Sequence, residues 1–307
     1  MNNKIYLNKA SENWVVDRFR EEWYQGNRDI STKFLQRSNI IWLIAPWVWK
    51  KISKKQLETK RVICTIHHID MEKFDLKSKK DFDERNNYID VYHAISKKTE
   101  QQLKELTSKP IKTFPFWVND KIWFEIKNKK ELRKKYKFSE KLFLIGSFQR
   151  DTEGKDLISP KLSKGPDQFI EIVKHYKYLN KNVHVVLSGK RREYLKNQLD
   201  LIGVEYSYFE MLKFNELNEL YNCLDLYVVS SRVEGGPQAI LECGIARVPI
   251  ISTPVGVAPE ILSADSIFEM KNFKEAKPNI NVAYENSKKY LLPKGFKKFR
   301  ETLLYEN

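Results

Sequence analysis

The sequence predicts an α/β protein made of two doubly wound halves, each with its own parallel β-sheet. Short apolar segments rich in β-branched and aromatic residues alternate with helix-like amphipathic segments along most of the chain. One charged segment with little apolar pattern, residues 127–140, interrupts this alternation. The length of 307 residues also suits two domains, because single cores rarely grow beyond about 250 residues.

The first half, residues 1–126, is predicted to form a Rossmann-like domain. Its predicted strands are Lys4–Asn8, Ile40–Ala45, Arg61–Ile66, Tyr88–Ile95 and Ile111–Phe116. A helix is predicted over Ser11–Tyr24, because Trp14, Val15, Phe19 and Trp23 recur at spacings of three or four residues. Strands that alternate with helices in this way favour a parallel sheet covered on both faces.

The second half, residues 141–283, shows the same alternation. Its predicted strands are Leu142–Ser147, Val183–Leu187, Leu226–Ser230 and Pro249–Ser252. Its predicted helices are Gln168–Tyr178, Glu193–Leu201, Glu216–Leu224 and Gln238–Ala246. Residues 127–140 are predicted to be a linker, and the basic amphipathic tail 284–307 is predicted to be helical, with packing back on the first domain as one option.

Composition and charge limit the classes of partner. The net charge is +15, but only 13 of the 55 basic residues are arginine, the residue on which base readers depend. We therefore expect no nucleic-acid partner. The lysines are interpreted as a solvated surface, with attraction to an anionic membrane or glycan as the alternative. Cys64, Cys223 and Cys243 lie too far apart for a metal site or a disulfide framework and indicate a reduced, cytoplasmic protein.

Targeting and membrane signals are weak. Met1–Ala10 lacks the apolar core of a signal peptide, and the longest apolar run, Ile40–Trp49, is far below the roughly 20 residues that span a bilayer. The segment Ile41–Lys55 mixes aromatic residues with lysines, as interfacial membrane anchors do. A buried strand followed by a polar helix explains the same pattern. Peripheral contact with the inner face of a membrane therefore stays an alternative.

The chemistry is concentrated in residues 226–262. A predicted strand ends near Ser230, a loop carries Glu234, and Gly235-Gly236 allow a ligand to approach the backbone closely. Pro237 suits the first position of a following helix, whose N-terminus offers amide donors to a phosphate. The carboxylate of Glu242 lies inside that apolar helix and needs a partner. Two glutamates around a diphosphate site suit a nucleoside diphosphate-sugar; the alternative is an ion pair of Glu242 with Arg247.

These residues resemble the signature of family 4 of the retaining glycosyltransferases, which have the GT-B fold of two facing Rossmann-like domains. Glu234 and Glu242 are eight residues apart with Glu-Gly-Gly-Pro at the start, and Pro249 and Glu260 follow. The preceding residues 220–231 also match, so the resemblance is strong over 142–262 and weaker over 1–125. It implies that Glu234 binds hydroxyls of the donor sugar and that Glu242 binds the ribose.

The resemblance also implies a basic pair on the diphosphate, in a Gly-Arg … Lys-Gly pattern after the first strand of the second domain. Lys164-Gly165 matches the second half of this pattern. The first half departs, because Gly146 is followed by Ser147 and the nearest arginine is Arg150. We assign Arg150 and Lys164 to the diphosphate. The alternative is a solvated charged loop.

In the first domain, Thr65 and His67 match the family's Thr-x-His at the end of a strand, which implies that His67 reaches the donor. Adjacent residues of an extended chain point to opposite sides, so His68 is expected to face elsewhere. The alternative is that His67 does not contact a ligand and only forms hydrogen bonds with loop carbonyls. The Asp81-Phe82-Asp83 sequence spells the metal-binding motif of another glycosyltransferase fold, but it lies in a charged stretch far from a strand end and is interpreted as chance.

The resemblance implies transfer of a sugar, with retention of configuration, to a hydroxyl of a glycan or lipid-linked acceptor. Lys164, Arg150 and the amides of Gly235 and Gly236 then do the work that a metal does elsewhere, so no metal or other cofactor is expected. Rival interpretations are a non-catalytic protein that binds sugar nucleotides or glycans, a sugar-nucleotide epimerase, and a phosphorylase. The last typically needs a pyridoxal-binding lysine, which the sequence does not reveal.

Overall fold

The computed structural model describes residues 3–12, 15–156, 158–179 and 181–305. The chain divides into two compact units, Met1–Trp117 with Pro293–Asn307, and Val118–Leu292. Each contains one sheet of five parallel strands, so the prediction of two α/β halves is confirmed. Trp14, part of the predicted first helix, lies outside the described residues.

The first unit has strands in the order β1-β2-β3-β4-β5, every neighbouring pair being parallel. These strands are β1 Ile5–Leu7, β2 Ile40–Leu43, β3 Arg61–Ile66, β4 Val91–Ala94 and β5 Ile111–Thr113. Its helices are α1 Val15–Gly26, α2 Lys54–Glu58, α3 Leu76–Asn86, α4 Lys97–Lys104 and, at the end of the chain, α12 Lys297–Leu304. The chain after α1 also pairs with the outer edge of β1, through a parallel bridge between Ile5 and Ser31.

Both faces of this sheet are covered. Ile41 and Leu43 of β2 point into a core lined by residues from α2, α3 and α4. Trp42, between them, points to the other face, where its ring lies 5.2 Å from Trp23 of α1 and 5.2 Å from Phe299 of α12. This period of two fixes the register of β2, because a slip of one residue would exchange the two faces. The aromatic contacts of α12 also explain why the end of the chain belongs to the first unit.

The second unit has strand order β10-β9-β6-β7-β8. Its strands are β6 Phe143–Ser147, β7 Val183–Ser188, β8 Tyr206–Phe209, β9 Leu226–Val229 and β10 Ile250–Ser252. Its helices are α5 Lys129–Lys135, α6 Pro166–Tyr178, α7 Glu193–Leu201, α8 Phe214–Cys223, α9 Gln238–Ile245, α10 Ala258–Ile261 and α11 Ile280–Ser287. Residues of α6 and α7 form one apolar core and residues of α8, α9 and α11 form another, as expected for a sheet covered on both faces.

The structure differs from the sequence-based expectations at the boundaries. Residues 127–140, predicted as a linker, contain α5, which belongs to the second unit. Arg133 of α5 donates to the Cys223 carbonyl at 2.9 Å and pairs with Asp225 at 2.5 Å, while Leu132 and Phe138 enter the core. The second unit therefore runs from 118 to 292 rather than from 141 to 283, and strand β8 was not predicted.

The aromatic and lysine-rich segment is placed in the first unit. It forms most of β2, a 3-10 helix over Pro46–Lys51 and the first two residues of α2. Trp42 and Trp49 are buried in the core, whereas Trp47 is 48% exposed. None of the helices in the described ranges is long and apolar enough to cross a membrane.

Candidate active site in the second unit

The candidate site lies where the winding of the second sheet reverses. β6 has β7 on one side and β9 on the other. From β6 the chain adds β7 and β8 on one side of the sheet, and then adds β9 and β10 on the other side, so the order of strands reverses between β6 and β9. In open parallel sheets the loops that leave such strands diverge and create a crevice at the carboxyl edge. Here those loops are residues 148–165 after β6 and residues 230–237 after β9. The first carries Arg150 and Lys164, and the second carries Glu234 and the two glycines.

Gly165 allows these two loops to approach each other, and Gly256 allows the loop after β10 to approach the loop after β9. Gly165 has φ +60°, and a Cβ atom there would lie 1.8 Å from the Ser230 carbonyl oxygen. Gly256 has φ +51°, and a Cβ atom there would lie 2.1 Å from the Gly235 carbonyl oxygen. Any other residue at either position would meet rigid backbone as well as unfavourable torsion. The Lys-Gly pair of the sequence thus has a structural reason: Gly165 seats the lysine loop on the end of β9.

Hydrogen bonds join the two loops. The side-chain amide of Gln149 donates to the Lys164 carbonyl at 3.0 Å, and its oxygen accepts from the Ser231 hydroxyl at 3.2 Å. The backbone amides of Arg232 and Val233 donate to the Ser163 carbonyl at 2.9 and 3.0 Å. These hydrogen bonds fix the two loops, and therefore the positions of Lys164 and Glu234, relative to each other. Gln149 was not predicted, since a single glutamine after a strand carries no sequence signal.

Lys164 and Glu234 form the centre of this arrangement. The Lys164 ammonium group donates to Glu234 Oε1, although the two residues are 70 positions apart. Both side chains are largely shielded, at 19% and 18% exposure. Arg150 lies in the same loop and its Nε donates to the Thr152 carbonyl at 3.0 Å. Burial and the neighbouring Arg191 lower the pKa of the Arg150 guanidinium.

A third cation, Lys161, belongs to the same cluster and was not predicted. Burial, followed by the charges of Arg150 and Lys164, lowers its pKa to about 8, while Glu234 acts in the opposite direction. Three cations and one carboxylate therefore lie at the reversal point of the sheet, which favours an anionic ligand with more than one negative charge. The signal available in the sequence was the spacing of Lys161 three residues before Lys164.

Glu242 lies one turn into α9 and is 5% exposed. Its carboxylate accepts a hydrogen bond from the Tyr221 hydroxyl at 3.2 Å. The alternative interpretation is an ion pair of Glu242 with Arg247. In the structure Arg247 Nε lies 3.7 Å from Glu125 Oε2, and the guanidinium stacks on the Tyr284 ring. Helix α9 starts at Gln238, so Pro237 is its N-cap rather than its first residue.

A buried ion pair supports the loop after β6. Arg192 is fully buried, Asp151 is 1% exposed, and Arg192 Nε lies 3.0 Å from Asp151 Oδ2. The Arg192 guanidinium also donates to the Ser147 hydroxyl at 3.2 Å. The Asp151 amide donates to the Arg191 carbonyl at 3.1 Å, and the Asp151 carbonyl accepts from the Lys161 amide at 2.7 Å. Asp151 therefore ties the lysine loop to the end of β7.

His67 is placed in the first unit, directly after β3. Its Nε2 is 2.8 Å from the Ile44 carbonyl and its ring stacks on Phe116 with centroids 5.7 Å apart, while His68 is exposed. The matching Thr65 is fully buried and lies 3.0 Å from Nδ1 of His93, a residue that was not predicted. The two adjacent histidines thus face different environments.

The Asp81-Phe82-Asp83 sequence lies on α3, where Asp81 pairs with Lys50 and Asp83 pairs with Lys79. These surface ion pairs account for both carboxylates. Across the described ranges, the structure has no group of three or more His, Cys, Asp or Glu side chains that could hold a metal ion.

Two units with five-stranded parallel sheets, together with polar loops at the reversal point of the second sheet, define the GT-B class of fold. A sequence model of the family described as glycosyl transferases group 1 matches residues 128–293, more than half of the chain. The chain belongs to this family. No curated protein sequence matches it significantly.

Solved structures show the same fold. Anabaena HepE, solved in complex with UDP and glucose, is 12% identical with a TM-score of 0.76, and the match covers 99% of each chain. Sucrose-phosphate synthase from Thermosynechococcus elongatus is 12% identical with a TM-score of 0.65, over 90% of this chain and 72% of that one. The pneumococcal O-GlcNAc transferase GtfA, in complex with UDP and GlcNAc, is 13% identical with a TM-score of 0.61, over 86% and 56%.

Proposed function

We propose that this protein transfers a sugar, with retention of anomeric configuration, from a nucleoside diphosphate-sugar to a hydroxyl group of a glycan or lipid-linked acceptor. The contact that carries the proposal is the Lys164–Glu234 pair at the reversal point of the second sheet. In the proposal, Lys164 is the cation that binds phosphate and Glu234, beside it, is the carboxylate that binds the sugar. Family membership and solved neighbours in complex with UDP support the choice of donor.

In this proposal Lys164 and Arg150 bind the diphosphate, and the amides of Gly235 and Gly236 add donors beside the N-terminus of α9. Glu234 binds hydroxyls of the donor sugar and Glu242 binds the ribose. Tyr221 would then orient Glu242 through the hydrogen bond described above.

The step itself is proposed to be front-face attack by the acceptor hydroxyl while the sugar–phosphate bond breaks. Positive charge grows on the sugar ring and negative charge on the departing diphosphate, which takes up the acceptor's proton. In this proposal the cations and amides of the two loops stabilise the charge on the leaving group, and such preorganised charge is usually the largest catalytic contribution. We propose that these groups make the reaction independent of a metal ion.

The acceptor and the place of action are part of the same proposal. The net charge of +15 favours an acceptor or a membrane surface with negative charge. The described cysteines are buried and free, which suits the reducing cytoplasm, including the inner face of a membrane.

A donor screen tests the proposal directly. We expect one nucleoside diphosphate-sugar to raise the melting temperature, since a ligand at 100 times its Kd adds about 2.7 kcal/mol. Incubation with that donor should release nucleoside diphosphate slowly, and excess chelator should leave the rate unchanged. Binding without any release would favour the non-catalytic alternative, and rescue of a chelated sample by manganese or magnesium would contradict metal independence.

His67 and His68 offer a matched pair of variants. His67→Ala is expected to lower transfer more than His68→Ala, because His67 lies at the carboxyl end of a strand with its ring held by Phe116, whereas His68 is exposed. The measurement is kcat/KM for the donor, with circular dichroism as the folding control. A larger loss in the His68 variant would reverse the assignment.

A further inference from the structure

The loop after β6 contains one cation whose surroundings differ from those of its neighbours. Lys161 directly precedes the 3-10 turn Leu162–Lys164. Its amide donates to the Asp151 carbonyl at 2.7 Å, and its carbonyl accepts from the Lys164 amide at 2.8 Å. The backbone of Lys161 is thus bonded on both sides, and its position relative to Lys164 is fixed.

The side chain of Lys161 is partly buried beside Arg150 and Lys164. Within the described ranges, the structure gives its ammonium group no hydrogen bond and no ion pair. A half-buried ammonium group beside two other cations is unfavourable unless an anion joins them. The neighbouring cations are already engaged: Lys164 donates to Glu234, and Arg150 donates to the Thr152 carbonyl of its own loop.

We propose that Lys161 binds the diphosphate of the donor together with Lys164 and Arg150, and adds positive charge that the sequence lacks directly after Gly146. This inference rests on the proposed function, since it needs a nucleoside diphosphate at the reversal point. Ser147 cannot supply the missing charge, and its hydroxyl accepts from the buried Arg192. Lys161 lies near the other end of the same loop, beside Arg150 and Lys164.

The electrostatics of the cluster add a property that can be measured. Burial and the charges of Arg150 and Lys164 lower the pKa of Lys161 to about 8, while Glu234 and Glu153 oppose that shift. A bound diphosphate favours the charged ammonium and raises this pKa. Above pH 8 the free protein therefore takes up a proton when it binds the nucleotide. Phosphate groups lose their second proton near pH 6, so the nucleotide itself contributes little there.

The experiment measures binding of UDP, GDP, ADP and inorganic pyrophosphate by calorimetry at pH 7 and pH 9. The variants are Lys161→Met, Lys161→Arg and, as a control, Lys155→Met in an exposed part of the same loop. We expect Lys161→Met to weaken the preferred nucleotide about ten- to a hundredfold at pH 7, as for loss of one charged hydrogen bond. Lys155→Met should match the wild type, and thermal unfolding confirms that each variant is folded.

Lys161→Arg provides the readout that a merely structural role would not affect. Arginine stays protonated, so this variant should keep affinity within about threefold at pH 7. The wild type should bind more weakly at pH 9, where Lys161 is largely neutral, and the arginine variant should not show this weakening. The affinity for pyrophosphate should change in the same order among the variants. Because pyrophosphate has no base, this result would assign the effect to the diphosphate.

The outcomes separate the two levels of the proposal. If the wild type binds a nucleoside diphosphate and Lys161→Met binds it equally well, the role of Lys161 is wrong and the proposed function stands. If Met and Arg weaken binding equally, the charge is not what matters and the inference fails. If the wild type binds none of the probes, the proposed donor site is wrong and the inference falls with it.

Discussion

Glu234→Gln is expected to lower the turnover number by one to three powers of ten, which corresponds to roughly 1.4–4 kcal/mol of transition-state stabilisation. In the proposed mechanism positive charge grows on the sugar ring, and a carboxylate stabilises that charge better than a neutral amide does. Affinity for the nucleoside diphosphate should change little, because in the proposed mechanism Glu234 contacts the sugar end of the donor. Steady-state kinetics and nucleotide titration of the folded variant measure both quantities.

Glu242→Gln is the matched comparison, since it makes the same chemical change eight residues further on. Glu242 is proposed to bind the ribose, which hardly changes between ground and transition state. This variant should therefore mainly raise the KM of the donor and weaken the nucleoside diphosphate as an inhibitor. Equal losses of kcat and affinity in both variants would show that the two ends of the donor are misassigned.

Arg192→Met is expected to lower the free energy of unfolding by about 3–5 kcal/mol at pH 8. The substitution removes the guanidinium whose Nε lies 3.0 Å from the buried carboxylate of Asp151. Burial raises the pKa of Asp151 to about 6 even with Arg192 present, and the pKa should rise further without it. In the unfolded chain an aspartate has a pKa of about 3.9.

This difference makes the loss dependent on pH. As the pH falls from 8 toward 5, the folded variant takes up a proton that the unfolded chain does not, so part of the lost stability should return. Denaturant titrations at the two pH values measure the effect. The control is Lys130→Met, which breaks an exposed pair with Glu140, 76% and 61% exposed, and should cost about 1 kcal/mol or less. An equal loss for Arg192→Met at both pH values would mean that Asp151 is not the titrating group.

The alternation of strands and helices could be predicted because it depends on local pattern. Arg61–Ile66 and Glu193–Leu201 match the structure at both ends, and most other strands differ by only a few residues. Strand β8 was missed because Tyr206–Phe209 is only partly buried throughout, as an edge strand often is, and shows no apolar run. Helix α5 was missed because most of its residues are charged and its burial depends on contacts such as Arg133 with Asp225.

The sequence by itself determined the fold class and the glycosyltransferase family, and it indicated Glu234 and Glu242 as candidate site residues. These follow from periodicity and from a motif contained within about 40 residues of the chain. Only the tertiary structure decided which charges meet. Lys164 contacts Glu234, which lies 70 positions further along the chain. In the Lys-Arg-Arg sequence at 190–192, Arg192 looks like a surface charge, but its guanidinium is fully buried in the structure. The physical reason is that parallel strands bring distant loops to one edge of a sheet, and burial then fixes the partner and pKa of each charge, which neither residue type nor spacing encodes.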